Sequence, residues 1–170
     1  MSIDQAAPAL PPRRKTSRMK TWARRAGTAS RLKASDKLLV AEAAAALLSA
    51  RLRSGMLSFR TLSRQIDGLA PPGTAPASAP LAPDVAAAVR DVRWAIRLVA
   101  PRVPFRAVCL QQAIAARAML ARRGVRSVMH LGVRHPVIDK MEAHAWLEAG
   151  EIRVTGYPLD PAMIEVARFI

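Results

Sequence analysis

The residue with the most chemistry to offer is Cys109, the single cysteine of a 170-residue chain. Around it runs Pro104-Phe105-Arg106-Ala107-Val108-Cys109-Leu110-Gln111-Gln112-Ala113. Ala113, Ala116 and Leu120 follow the cysteine at offsets of 4, 7 and 11, the spacing of one helix face. The pattern predicts a helix over about 107–123 that stops at Gly124. A thiol in the first turn of a helix meets unpaired N–H groups and the positive end of the dipole, which favour thiolate over thiol. The same N–H groups suit the oxyanion of an acyl transfer. Such a thiolate needs a base that takes its proton and returns it to the leaving amine, a task suited to imidazole near neutral pH.

Of three histidines, His144 has the best setting. In Glu142-Ala143-His144-Ala145-Trp146-Leu147-Glu148, strand alternation puts His144, Trp146 and Glu148 on one face and Ala143, Ala145 and Leu147 on the other. A strand packed on the cysteine helix could present His144 to the thiol. His130 ends a preceding β-type run and His135, beside Pro136, reads as a surface-loop residue. The plainer reading is that a cysteine on an alanine-rich helix packs as a small hydrophobe. One cysteine and scattered histidines lack zinc-ligand spacing, and there is no phosphate-binding glycine loop, so neither a metal nor a cofactor is expected.

Several elements must position this pair. Residues 36–54 read as an alanine- and leucine-rich helix capped by Asp36 and stopped by Gly55. A shorter helix is expected over 58–66, then a Pro- and Ala-rich linker within 69–83. Asp84 can cap a helix over 85–100. After the cysteine helix the period changes: 125–133, 142–147 and 152–155 read as strands of an antiparallel meander, and 161–168 as a last helix. The expected class is α+β, with N-terminal helices and a small antiparallel sheet packed on the cysteine helix.

The formal charge of +15 is concentrated at one end. Residues 1–35 carry nine Lys or Arg against Asp4, a net +8, with few large apolar residues. The segment reads as a disordered basic arm, open to nonspecific electrostatic contacts or simply solvated. No export signal or membrane span is visible; Leu38 to Ala50 is interrupted by Glu42 and too short. With one cysteine no internal disulfide forms, which fits a reducing cytoplasm.

The block around Cys109, the following Met119-Leu120-Ala121-Arg122-Arg123-Gly124-Val125, Leu131-Gly132-Val133-Arg134 and the His144-Ala145-Trp146 block together resemble the transglutaminase-like B proteins of lasso-peptide biosynthesis, the microcin J25-processing family. The likeness runs from about Asp36 to Pro158. It implies a papain- or transglutaminase-like core in a peptidase domain spanning 36–170. It also implies a cysteine peptidase that removes the leader from a ribosomal precursor before a cyclase closes the ring. Carried over, Cys109 is the nucleophile and His144 the base, then acid. The implied partners are the precursor peptide, a separate leader-recognition protein and an asparagine-synthetase-like cyclase, with no specific nucleic acid and no transmembrane segment. The family's third position, an Asp about a dozen residues past the histidine, is occupied here by the stretch Thr155-Gly156-Tyr157. Asp160 is the nearest carboxylate; it either orients the imidazole or caps the last helix ahead of Pro161. Acyl transfer to an amine, or a degenerate basic scaffold for peptide binding, are the alternatives.

Overall fold

The computed structural model describes residues 33–56, 69–70, 80–134 and 141–170. The helix expected over 58–66, most of the basic arm and His135 lie outside the described residues. Among the described residues three helices precede most of the sheet: α1 (Ala34–Met56), α2 (Pro83–Val99) and α3 (Cys109–Ala121). The strands are β1 (Leu69–Ala70), β2 (Val128–Arg134), β3 (Glu142–Ala149), β4 (Ile152–Thr155) and β5 (Ile164–Phe169), arranged in the order β1-β5-β2-β3-β4. All pairings are antiparallel. The α+β reading therefore holds, and the meander β2-β3-β4 follows the expected segments.

The last element differs from expectation. Residues 164–169 form strand β5 between β1 and β2, where a helix over 161–168 was expected. Ile164, Val166 and Phe169 are β-formers at the end of the chain's β-rich half, and pairing with β2 decides the outcome over local propensity. Asp160 and Pro161, which suggested a helix start, make a turn instead. The Met163 N–H donates to the Asp160 carbonyl at 3.0 Å, and the Ala162 N–H donates to Asp160 Oδ1 at 2.9 Å. Leu69–Ala70, inside the stretch read as a linker, pairs with Phe169 and Arg168.

The core is aliphatic and alanine-rich. Leu47 of α1, Val92 and Ile96 of α2, and Met119 and Leu120 of α3 meet Met129, Leu147, Val154 and Phe169 of the sheet. Small alanines such as Ala113 and Ala116 allow close approach of α3 to its neighbours, and each buried Leu or Met contributes about 1.5–3 kcal/mol. The C-terminal end of α3 is fixed twice. Gly124, at φ +69°, closes the helix while the Val125 N–H donates to the Leu120 carbonyl at 3.0 Å. Arg122 and Arg123 both donate to the Glu42 carboxylate, at 2.7 and 2.6 Å, tying α3 to α1. The Arg123 hydrogen bond above all, with help from Arg122, holds the Glu42 carboxyl down at about 2 against the opposing pull of partial burial.

Candidate active site

Cys109 is the first residue of α3, half-buried against the core. Val108, at the N-cap, has no side chain able to cap, so Gln111 takes over. Its Oε1 accepts from the Val108 N–H at 3.2 Å, while its Nε2 donates to Ser54 Oγ of α1 at 3.1 Å. Gln112 Nε2 donates to the Ala107 carbonyl at 2.8 Å. These bonds fix the backbone on either side of the thiol. The first N–H groups of α3, Cys109's own among them, have no intrahelical acceptor, the kind of donor that suits an oxyanion. Gln111 and Gln112 carry no role in the sequence reading; a Gln three residues after the N-cap is the available signal.

His144 is half-buried on β3, opposite Gly132 of β2. The alternation on β3 is as expected: Ala145, Leu147 and Ala149 enter the core, while His144, Trp146 and Glu148 form the other row. His144 stacks on Trp146 with centroids 6.3 Å apart, and Trp146 stacks on His130 at 5.1 Å. His144 Nε2–H donates to the Gly156 carbonyl at 2.7 Å. That bond fixes the Nε2–H tautomer and leaves the Nδ1 lone pair as the basic atom.

Gly156 follows β4 at φ +81°, where a Cβ would lie 2.5 Å from the Ala145 carbonyl oxygen and 2.7 Å from Trp146 Cβ. Only glycine brings a carbonyl this close to β3 at that conformation. Asp160 has other partners. Its Oδ2 accepts from Arg134 and its Oδ1 from the Ala162 N–H, and no hydrogen bond joins it to His144. The orienting contact that the sequence reading sought in a carboxylate is supplied by a backbone oxygen, which no side-chain pattern encodes.

No hydrogen bond joins Cys109 to His144, but α3 packs on β3, and a cavity of about 520 Å³ is lined by neighbours of both, although neither side chain itself lines it. Ala107 and Gln112, beside the cysteine, line it together with Gly156, which holds the histidine. Thr155 lines it too, with a buried Oγ1 that has no hydrogen-bond partner among the described residues.

His130 lies apart from the cavity lining, on the row with Trp146. Its Nδ1 is 2.7 Å from Glu165 and its Nε2 is 3.6 Å from Glu148. Burial pulls its pKa down, but the Glu148 and Glu165 carboxylates outweigh burial and raise it. Arg168 pairs with Glu165, and Tyr157 donates its hydroxyl to Glu148. This is an ionic layer in which His130 Nε2 has no hydrogen-bond partner among the described residues, rather than a base facing the thiol. Among the described residues no group of three or more His, Cys, Asp or Glu side chains could hold a metal ion, and no helix is long and apolar enough to cross a membrane.

A cysteine opening a helix that packs on an antiparallel sheet, with a histidine on that sheet, is compatible with thiol-dependent acyl transfer. The transglutaminase-like superfamily model matches residues 44–167, and the chain belongs to that superfamily. The superfamily generally comprises cysteine peptidases or transferases. No curated protein and no solved structure matches the chain.

Proposed function

We propose that this protein is a cysteine peptidase that removes the leader from a lasso-peptide precursor. The observation that carries the reading is the His144–Gly156 hydrogen bond on the strand against which the Cys109 helix packs: the pair offers a nucleophile at a helix start and an imidazole whose Nδ1 is free to act as base.

In the proposed reaction the Cys109 Sγ attacks the carbonyl carbon of the scissile peptide bond, and His144 Nδ1 takes the thiol proton. The first N–H groups of α3 stabilise the oxyanion. Collapse breaks the C–N bond, His144 returns the proton to the leaving amine of the core peptide, and the leader remains as a thioester on Cys109. Water then attacks the thioester while His144 accepts its proton, giving the leader carboxylate and the free thiol. Gly156 acts through His144 as a positioning group. A leader-recognition protein delivers the precursor, a cyclase takes the released core, and the reaction runs in the reducing cytoplasm.

The test is incubation of the purified chain with precursor, recognition protein and cyclase, followed by mass spectrometry. The expected result is a product heavier by one water in sum, absent with Cys109→Ala and with His144→Ala. Cleavage that persists in Cys109→Ala rules the reading out. A product carrying an added amine in place of water assigns acyl transfer instead.

A further inference from the structure

The cavity lined by Ala107, Gln112 and Gly156 is strongly cationic. Arg93 and Arg97 reach it from α2, Arg106 from the loop three residues before the cysteine, and Arg153 from β4. No Asp or Glu lines it. Among the described residues Arg93, Arg97 and Arg106 pair with no carboxylate. Arg93 and Arg97 stand at i and i+4, where like charges repel, so their placement costs stability unless an anion joins them. Arg153 is held in place, its guanidinium 5.0 Å over the Tyr157 ring, and that ring is anchored in turn by the Tyr157 hydroxyl on Glu148. A second concavity shares Arg93 and Arg97 and is lined also by Arg90 and Trp94 of α2 and by Arg102 just after it. Trp94 is 40% exposed there, an aromatic surface with no covering group among the described residues.

We infer that this arginine cleft binds an acidic side chain of the peptide substrate close to the scissile bond, an inference that rests on the peptidase reading above. Guanidinium groups from separate elements converge on one concavity, and their fork geometry matches a carboxylate better than a lone cation would. The volume of about 520 Å³ accommodates a side chain and its adjoining peptide units. Ala107, two residues before Cys109, and Gly156, whose carbonyl accepts from His144, share the lining, so an occupant lies against the segments that flank the two residues. Residues further along the substrate pass over Trp94 and Arg90.

The test uses the full-length Cys109→Ala protein, so that binding is read without turnover. Fluorescence anisotropy is measured with a short rhodamine-labelled peptide rich in Glu, its Gln counterpart, and an oligothymidylate of the same charge. The Glu peptide is expected to bind about tenfold more tightly than the Gln peptide at low salt. Arg97→Gln with Arg106→Gln should bring that preference close to unity, and the corresponding Lys pair should restore part of it. Both sites are exposed, and a thermal melt checks that the variants remain folded. The basic first 35 residues are common to all these proteins, so differences between variants report the cleft. Equal binding of the two peptides overturns the inference, as does a preference that persists in the Gln pair. An oligothymidylate bound as tightly as the Glu peptide, with the same arginine dependence, assigns the cleft to nucleic acid and also overturns it. Binding that follows expectation while the precursor is never cleaved retains the cleft and removes the peptidase reading; cleavage without a Glu preference does the reverse.

Discussion

Replacing Gly156 by alanine should release His144 from the backbone that orients it. The new Cβ would sit 2.5 Å from the Ala145 carbonyl oxygen and 2.7 Å from Trp146 Cβ. Non-bonded heavy atoms rest about 3.5 Å apart, so the overlap is about 1 Å. Ala145 and Trp146 belong to β3, which β2 pairs from Arg134 to Val128, so the displacement falls on residue 156 itself. A shift of that size stretches the 2.7 Å His144–Gly156 bond beyond hydrogen-bond range. The positive φ adds about 1–2 kcal/mol and the crowding about 1–3 kcal/mol, so a total of roughly 2–5 kcal/mol is expected. Thermal melting should register this as a Tm lower by roughly 5–15 °C. Misplacing a catalytic group by about 1 Å costs on the order of 10²-fold in rate, so precursor cleavage should fall by about that factor in protein that is still folded at the assay temperature. Cys109→Ala should fall further. Asp160→Asn is the control, since Asp160 is held by Arg134 and the Ala162 N–H, and its cleavage rate should stay within about twofold of wild type. Folded Gly156→Ala cleaving at the wild-type rate, or Asp160→Asn showing the hundredfold loss instead, would refute the reasoning.

Three further outcomes are expected. Glu42→Gln should lose about 1–2 kcal/mol at pH 7, after allowance for solvent screening of a carboxylate that is about a quarter exposed. Because the folded-state pKa is depressed to about 2, that contribution is present above the ordinary carboxylate range and fades as pH falls from 4.5 towards 2; Tm against pH should show the limb in wild type and lose it in the variant. His130 has a raised pKa, so its pairing with Glu148 and Glu165 stabilises fully below pH 6.5 and is lost as pH climbs through the raised value; His130→Phe should flatten that alkaline limb in melts between pH 5 and 9, and a limb left unchanged would show that another group causes it. Thr155→Val removes a buried hydroxyl with no hydrogen-bond partner among the described residues, so Tm should rise by a few degrees, corresponding to about 1 kcal/mol; a comparable fall would mean that the hydroxyl has a partner in solution.

The elements that carry apolar periodicity were readable from the chain. Cys109 at the start of α3, the stop at Gly124 and the alternation that separates His144 from Ala145 all follow from side-chain pattern alone. The strand β5 was not readable, because Asp160-Pro161 is a convincing local helix start and only pairing with β2, some thirty residues earlier, overrides it. The Gly156 carbonyl was equally hidden. Its role depends on a backbone oxygen and on a close approach to β3, and sequence records neither. The Arg122-Arg123-Gly124 run was legible as a family signature, while its physical role, clamping α3 to Glu42 and ending the helix, appears only in the fold.

The sheet order also shapes how the chain must assemble. The cysteine, its histidine and the carbonyl that steadies it come from consecutive elements α3, β2, β3 and β4, so the reactive half is built from near neighbours and can form early during synthesis. β2 is completed on its other side only when β5 has been made, although β5 follows β4 in the chain. Until then a nascent chain exposes the unpaired backbone of residues 128–134, an open edge ready to recruit a second chain. Any state in which β5 is undocked is thus the one at greatest risk of misassembly, and shielding that edge would favour yield over aggregation.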